Sequence, residues 1–280
     1  MALQIVRISR PRFWIYLLGP YLIGLLSASE WHTWTMPQSL LIAIFFLYFI
    51  FPANLLLYGI NDIFDYETDI LNNKKSGYES VLPVNQHTKI WLSILVTNVP
   101  FLLMCFFLPL PFIYCWGLFI LFSIFYSAPP LRFKTKPLVD SVSNGLYILP
   151  GIMAYYLVGG TTLPWGLIAA AWAWAMAMHA YSAIPDIDAD KKASLATIAT
   201  FLGKSGTLLF CTILYLLSCL LAATILSPIF YLFGAVYIYL MAISFSAQTT
   251  EYLLQIYRYF PLINCLCGFA IFVLRLLKLI

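Results

Sequence analysis

The sequence has very few charged residues for its length. Of its 280 residues, 9% are Asp, Glu, Lys or Arg, whereas 62% are apolar. A soluble domain usually carries about a quarter charged residues, because polar side chains must cover its surface. So low a charge content along the whole chain excludes a soluble domain and indicates an integral membrane protein, whose solvent is lipid.

Other absences exclude further classes of protein. The six cysteines lie inside apolar runs and form no Cys-x-x-Cys pair, so nothing supports a disulfide framework or a soft-metal site. The 15 Lys and Arg residues are scattered and make no basic domain, so we expect no nucleic-acid partner. No small-residue cleavage pattern follows the first apolar run, which we interpret as a retained span rather than a signal peptide.

The stretches without a charged residue predict the number of transmembrane helices. They run over residues 13–29, 31–61, 90–131, 141–185, 205–250 and 259–274. A span needs about 20 apolar residues, so the first, second and last stretches hold one span each and the three long ones hold two. Each long stretch has a break near its centre, at 108–111, 159–164 or 227–228. We therefore predict an all-α, multi-pass membrane protein with nine transmembrane helices in a single domain, 1–280.

The charged residues are gathered on one side of the predicted spans. With the N-terminus inside, as the early arginines favour, thirteen of the 15 Lys and Arg residues and ten of the 11 Asp and Glu residues fall on that side. The positive-inside rule explains the basic residues but not the acids. Acids and bases on one face indicate a polar site there.

The first acidic cluster ends the second predicted span, in the segment "NDIFDYETD". Asp62, Asp65 and Asp69 stand at positions i, i+3 and i+7, which occupy one face of an unbroken helix. Asn61 lies on the flank of that face, four residues before Asp65. The spacing predicts that these oxygen-bearing side chains converge.

The second cluster, "DIDAD", ends the sixth predicted span, on the same side of the membrane. Asp186 and Asp190 are i, i+4 neighbours on a helix, and Asp188 faces nearly the opposite way. Carboxylates held this close repel one another unless a cation lies between them. Oxygen ligands without Cys or His suit a hard ion, commonly Mg²⁺. Two such clusters facing each other would hold a diphosphate through Mg²⁺.

Basic and other polar residues on this face are candidates for substrate binding. Arg132 and Lys134 lie in the proline-broken loop "YSAPPLRFKTKP", and such side chains neutralise phosphate oxygens. Arg10 and Lys74 are further candidates of the same kind.

Two polar residues inside predicted spans also qualify. His179 stands seven residues before Asp186, and Asn144 stands one turn after Asp140. Polar and ionisable residues within a membrane are commonly functional, although a hydrogen-bonded structural role is the alternative for His179. We therefore predict that both side chains contribute to the substrate site.

At this point the motifs resemble a known family. "NDIFDYETD" is similar to the NDxxDxxxD motif of the UbiA superfamily of intramembrane prenyltransferases, and "DIDAD" is similar to its second motif. The loop "YSAPPLRFK" lies between them, as in that family. Within the family, segments such as "LYGINDIFDYETDI" and "DSVSNGLYILPG" look like those of the carotenoid-modifying branch, the lycopene elongases.

The resemblance implies nine helices around a central cavity that opens sideways to lipid. It implies Mg²⁺-dependent transfer of a prenyl group from its diphosphate, with Asp65, Asp186 and Asp190 essential for catalysis. The site face should be cytoplasmic, where prenyl diphosphates are made, in a prokaryotic cell membrane. Aromatic faces stabilise the carbocation of such a reaction. The candidates are Tyr58, Phe64, Tyr126, Tyr147 and Trp174, of which Tyr126 is predicted to bind substrate.

Three functions follow from these observations. The elongase resemblance favours dimethylallyl diphosphate as donor and lycopene or a related C40 carotenoid as the lipophilic acceptor. An aromatic prenyltransferase of quinone biosynthesis, acting on 4-hydroxybenzoate or a naphthoate, is the alternative within the same chemistry. A membrane transporter, which also places carboxylates near helix ends, is the more distant alternative.

Overall fold

The computed structural model describes residues 2–28, 31–70 and 82–280. Within these ranges the secondary structure is helical and contains no strand, which confirms the all-α class. The α-helices are α1 (Ala2–Ile8), α2 (Ile15–Ala28), α3 (Met36–Ile50), α4 (Pro52–Phe64), α5 (Tyr66–Asp69), α6 (His87–Leu102), α7 (Leu110–Phe125), α8 (Val139–Val142), α9 (Leu149–Leu157), α10 (Trp165–Ala183), α11 (Ile187–Lys192), α12 (Ile198–Ile225), α13 (Phe230–Ser246) and α14 (Thr250–Leu276).

Five helical segments of the described chain are long and apolar enough to cross a membrane. They are Met36–Phe64, Val84–Phe107, Trp165–Lys192, Ile198–Ile225 and Thr250–Leu276. The apolar helices α2, α7 and α13 are shorter. The three interruptions predicted from the sequence coincide with helix ends, before α7, before α10 and before α13. The protein is thus a multi-pass membrane protein, and its total of nine spans stays a prediction.

The chain forms two compact units. The first comprises Met1–Leu131, Leu146–Thr162 and Gly268–Leu279, and the second comprises Arg132–Gly145, Leu163–Cys267 and Ile280. The first acidic motif belongs to the first unit and the second motif to the second. Each unit has its own core and its own polar site.

Aromatic side chains of α3 and α7 fill the core of the first unit. Phe45 meets Phe112 edge to face, with ring centroids 4.7 Å apart, and Trp116 at 5.6 Å. The Trp116 indole Nε1–H donates a hydrogen bond to the Tyr48 hydroxyl, 3.0 Å away. Such contacts add specific geometry to the burial of large apolar rings.

A proline separates α3 from α4, and asparagine side chains satisfy the backbone that it disrupts. Pro52 has no N–H group, so the helical hydrogen-bond ladder is interrupted at this point. Asn54 donates its side-chain amide to the carbonyls of Phe49 and Ile50, at 2.7 and 3.1 Å. Asn98 of α6 donates to the carbonyl of Pro52, at 3.1 Å. The next helix, α4, is buried along most of its length and carries the first acidic motif.

The predicted unbroken helix through the first motif is wrong. Helix α4 ends at Phe64, and Asp65 has φ −98° and ψ 1°, outside the helical region. A separate short helix, α5, begins at Tyr66. Asp62 and Asp65 therefore share the end of α4, whereas Asp69 belongs to the next turn of chain. No glycine or proline in "NDIFDYETD" marks this break.

In the second unit, α10 packs against α12, and α12 against α13. Tyr181 stacks on Phe260, with ring centroids 4.5 Å apart, and Tyr215 stacks on Tyr237 at 4.7 Å. The Tyr181 hydroxyl lies 2.7 Å from the Ser244 hydroxyl, and the Tyr237 hydroxyl donates a hydrogen bond to Asn264 Oδ1, also at 2.7 Å. This core positions the C-terminal end of α10, where the second motif begins.

Helices α2 and α9 approach closely in the first unit because each carries a glycine at the contact. A Cβ atom on Gly24 would clash with the carbonyl oxygen of Gly151. A Cβ atom on Gly151 would lie 2.8 Å from the carbonyl oxygen of Pro20. Small residues at such crossings let membrane helices pack backbone to backbone.

We predict that Gly24→Ala destabilises the protein by about 1–3 kcal/mol, because the added methyl group meets backbone that has no room to move. Gly117→Ala is the matched control, since a Cβ there meets nothing within 4 Å. Thermal unfolding in detergent measures both variants. A similar loss of stability in the two would contradict the close glycine contact.

Candidate active site

The first motif places two carboxylates at the C-terminal end of α4. Asp62 lies in the last turn and Asp65 follows it, and each is only 5% exposed. The C-terminal end of a helix carries partial negative charge, so an anionic side chain there is disfavoured. Burial adds a desolvation cost. Both carboxylates therefore need hydrogen-bond donors or positive charge close by.

Asn61 and Ser127 supply donors to Asp65. The Asp65 Oδ2 atom accepts hydrogen bonds from Asn61 Nδ2 at 2.6 Å and from Ser127 Oγ at 3.2 Å. Asn61 also donates to the Ser127 hydroxyl, at 2.9 Å, which closes a three-membered network. The position predicted for Asn61, beside Asp65, agrees with this geometry.

Ser127 is a site residue that the sequence analysis did not single out. It is 1% exposed and directly follows Tyr126, which caps the C-terminus of α7. One sequence feature could have identified it: in "YSAPP" it is a polar residue at the end of an apolar span, on the side of the membrane where the charged residues lie. Tyr126 itself is half-buried at this helix end.

Arg10 supplies positive charge to Asp62. Its Nη2 atom lies 2.8 Å from Asp62 Oδ1, and the two side chains are 15% and 7% exposed. The Arg10 Cζ atom also lies 4.7 Å from the centroid of the Tyr58 ring, in cation–π geometry. The structure thus brings this predicted substrate-binding residue to the first motif.

The aromatic candidates have different surroundings. Tyr58 and Tyr147 are neighbours, with their hydroxyl oxygens 3.3 Å apart. Phe64 instead packs edge-on against Trp91, at 6.1 Å. In the second unit, Trp174 packs edge-on against Tyr237, at 6.5 Å. Phe64 and Trp174 therefore take part in packing contacts.

The side chains of two predicted site residues, Asp69 and Lys74, lie outside the part of the chain that the structure describes. The backbone of Asp69 ends α5, but its side chain lies outside the description. Lys74 lies in the segment outside the described residues. Their metal-binding and substrate-binding roles stay predictions.

The second motif begins where α10 gives way to a 3₁₀ turn, Ile184–Asp186. Asp186 and Asp190 are half-buried, whereas Asp188 is exposed, in agreement with the predicted faces. The Thr197 hydroxyl donates to Asp190 Oδ2 over 3.4 Å. Thr197 is also the N-cap of α12, in a reciprocal capping arrangement with Thr200.

Asp140 connects α8 to the same helix N-terminus. It is completely buried, and its Oδ2 atom accepts a hydrogen bond from the Ile198 N–H at 2.6 Å. Its Oδ1 atom accepts one from the Ser141 N–H, also at 2.6 Å. Burial raises the pKa of the Asp140 carboxyl to about 6, and the two amide donors act in the opposite direction. An anion at a helix N-terminus is stabilised by the positive end of the helix.

The other predicted residues of the second unit lie in the 3₁₀ turn after α8, on α10 and in the turn before α8. The Asn144 side-chain amide donates to the carbonyl of Asp140, at 2.9 Å. His179 Nε2 lies 3.9 Å from Asp140 Oδ2, beyond hydrogen-bonding distance. Lys134 is buried in the turn before α8, and Arg132 starts that turn in a left-handed conformation, with φ 42°. Their roles toward substrate stay predictions.

The donor atoms around the first motif suit a hard divalent cation. Asp62, Asp65, Asn61 and Ser127 bring carboxylate, amide and hydroxyl oxygens, and none is a soft ligand. No group of three or more His, Cys, Asp or Glu side chains converges within the part of the chain that the structure describes. Mg²⁺ suits such a partial set, because it takes its remaining ligands from water and phosphate.

These features define a helical membrane protein with acidic motifs at the ends of apolar helices. The family model of the UbiA prenyltransferase family matches residues 17–274. The chain therefore belongs to the UbiA prenyltransferase family, and it is a prenyltransferase. This confirms the family resemblance and excludes the transporter alternative.

Several related proteins share one name. The lycopene elongase/hydratase of Haloarcula japonica is 38% identical over 94% of this chain and 88% of its own length. The protein of the same name from Halobacterium salinarum is also 38% identical, over 93% and 92%. The lycopene elongase/hydratase of Corynebacterium glutamicum is 33% identical over 79% of this chain and 76% of its own length. The predicted likeness to the lycopene elongases is confirmed.

Solved structures show the same fold. A UbiA homologue from Archaeoglobus fulgidus, bound to DMAPP and Mg²⁺, superposes with a TM-score of 0.65 at 20% identity, covering 96% of this chain and 99% of that one. A UbiA homologue from Aeropyrum pernix superposes with a TM-score of 0.71 at 16% identity, covering 94% and 98%. At these identities the likeness concerns the fold.

We predict that Asp140→Ala lowers the free energy of unfolding by about 2–4 kcal/mol, because two buried amides lose their acceptor. Asp188→Ala is the control: it removes an exposed carboxylate and should change stability by less than about 0.5 kcal/mol. Thermal unfolding in detergent compares them. Equal stability of the two variants would show that Asp140 does not anchor α12.

Proposed function

We propose that this prenyltransferase transfers a dimethylallyl group from its diphosphate to lycopene or a related C40 carotenoid, with Mg²⁺ as cofactor. The observation that carries the proposal is the set of relatives named lycopene elongase/hydratase, at 33–38% identity. The fold neighbour bound to DMAPP and Mg²⁺ supports the donor and the ion. Because this acceptor is an apolar polyene, it would enter from the membrane.

Asp62 and Asp65 of the first motif are proposed ligands of Mg²⁺, and so are Asp186 and Asp190 of the second motif. When bound, Mg²⁺ would neutralise negative charge on the diphosphate leaving group. Asn61 orients Asp65 through its hydrogen bond. Such fixed donors hold a ligating carboxylate in one geometry, which strengthens metal binding.

Basic side chains assist the departure of the diphosphate. The allylic C–O bond breaks and its electron pair leaves with the diphosphate, so negative charge develops on the phosphate oxygens. Arg10, Arg132 and Lys134 are the proposed partners of these oxygens, because positive charge placed where negative charge develops lowers the barrier. Arg10 is already fixed beside the first motif.

The new bond forms between the allylic cation and the terminal alkene of the acceptor. The π electron pair of the alkene makes the carbon–carbon bond and leaves a tertiary cation. That cation either loses a proton to form an alkene or takes up water, with loss of a proton, to form a tertiary alcohol. Tyr126 is the proposed aromatic neighbour of the cations. The site would face the cytoplasm, the source of the donor.

The test uses membranes that contain the protein, labelled dimethylallyl diphosphate and lycopene. We expect label in carotenoids that are one or two isoprenoid units longer than lycopene. EDTA should abolish the transfer, and Asp65→Asn should reduce it by at least about a hundredfold, because a metal ligand is lost. Asp188→Asn is the matched control and should keep the activity, since Asp188 is exposed. The mass of the product distinguishes water uptake from proton loss.

Other outcomes separate the parts of the proposal. Transfer from a longer donor to 4-hydroxybenzoate or a naphthoate, with none to lycopene, would keep the metal-dependent chemistry and overturn the carotenoid acceptor. An Asp65→Asn variant that is folded and fully active would overturn the metal-binding role of the first motif.

We also predict that Ser127→Ala raises the Mg²⁺ concentration needed for half-maximal transfer by about fivefold, because Asp65 loses the hydrogen bond from the Ser127 hydroxyl. Ser123→Ala, one turn earlier on α7, is the matched control. Ser123 is equally buried, and its hydroxyl has no hydrogen-bond partner among the described residues. The measurement is transfer activity as a function of Mg²⁺ concentration in the two variants. Identical curves would show that Ser127 does not support the metal site.

A further inference from the structure

The ring of Tyr58 is occupied in a way that changes its expected role. The Arg10 guanidinium carbon lies 4.7 Å from the centroid of this ring. A face that already holds a guanidinium is not open to an allylic cation, and the two positive charges would repel each other. Tyr58 therefore acts on Arg10 rather than on the reacting carbon.

The contacts of Tyr58 hold its ring in place. Its hydroxyl lies 3.3 Å from that of Tyr147, and Phe13 packs against its ring at 6.0 Å. Tyr147 is in turn met edge-on by Tyr16, at 6.0 Å. Tyr58 is 7% exposed, so water competes little for these contacts. The ring beneath Arg10 is thus a fixed platform.

The backbone of Arg10 is fixed as well. Its φ of 50° and ψ of 70° lie in the left-handed region, which is unfavourable for a residue with a long side chain. Its carbonyl accepts a hydrogen bond from the Phe13 N–H at 2.8 Å, in the turn that starts at Pro11. A free arginine side chain loses rotamer entropy when a ligand immobilises it. Fixing Arg10 in advance reduces that loss.

We infer that Tyr58 and Tyr147 are positioning residues, which hold the Arg10 guanidinium beside Asp62 and set the affinity of the enzyme for the diphosphate group through Arg10. The inference rests on the proposed function, in which the donor is a prenyl diphosphate. Neither tyrosine contacts the reacting carbon in this account. Their effect on diphosphate binding therefore exists only while Arg10 is present.

A double-mutant cycle tests this dependence. The probe is inorganic diphosphate with MgCl₂, titrated calorimetrically into the purified full-length protein, because it carries no prenyl group and does not depend on the donor chain. We expect Tyr58→Leu to weaken diphosphate binding by about tenfold, the effect of losing a partly buried cation–π contact. Arg10→Gln should weaken it further. The double variant should bind no more weakly than Arg10→Gln alone, because contacting residues are not additive.

Conservative variants and a neighbouring arginine sharpen the test. Tyr58→Phe keeps the ring and should recover most of the affinity that Tyr58→Leu loses, and Tyr147→Phe should match Tyr58→Phe, since both remove the same hydroxyl pair. Arg12→Gln is the control: Arg12 is exposed, and its guanidinium lies over Phe13 at 4.7 Å. Its removal should leave diphosphate affinity unchanged. In the transfer assay, Tyr58→Leu should raise the donor KM and also lower kcat, because Arg10 both binds the diphosphate and stabilises the charge that develops on it.

Three results would overturn the inference. The first is a double variant that binds diphosphate about tenfold more weakly than Arg10→Gln alone. The second is a Tyr58→Phe variant whose diphosphate affinity is no higher than that of Tyr58→Leu. The third is an Arg12→Gln variant whose diphosphate affinity is as low as that of Arg10→Gln. If Tyr58→Leu does not fold, as judged by thermal unfolding, the cycle is run with Tyr58→Met, which also removes the aromatic face and is expected to show the same tenfold effect. Absence of diphosphate binding by the wild-type protein would instead contradict the proposed function, and the inference with it.

Discussion

The site depends on one electrostatic constraint: buried carboxylates at the C-terminal end of an apolar helix must be matched by donors or positive charge. Helix α4 is buried along most of its length, so Asp62 and Asp65 lie where both desolvation and the helix field disfavour an anion. Arg10 forms an ion pair with Asp62, and Asn61 and Ser127 donate hydrogen bonds to Asp65. The same demand makes the pair suitable ligands for a divalent cation.

The second motif meets this constraint in a different way. Its two inward carboxylates, Asp186 and Asp190, are half-buried and keep more access to solvent. The fully buried carboxylate of this unit is Asp140, and it lies at the N-terminal end of α12, where the helix field favours an anion. In the second unit, therefore, the buried carboxylate of Asp140 has a structural role, and the motif carboxylates of Asp186 and Asp190 are more accessible to ligands.

Much of the helical pattern was predictable, because hydropathy and charge spacing are properties of neighbouring residues. The breaks before α7, α10 and α13 were all expected from prolines, glycines and small polar residues. The break at Asp65 was not, because its segment contains no residue that ends a helix by itself. Ser127 was missed for a related reason: a single serine after an apolar span has no distinguishing pattern until a carboxylate is found beside it.

The sequence by itself determined the class of the protein, its membrane character, its family and the chemical type of its site, since composition and motif spacing carry that information locally. Tertiary structure alone decided which side chain meets each carboxylate. Arg10 and Asp62 are 52 residues apart in the chain, Ser127 and Asp65 are 62 apart, and Asp140 and Ile198 are 58 apart. Contacts at such separations arise from helix packing, and no periodicity along the chain encodes them.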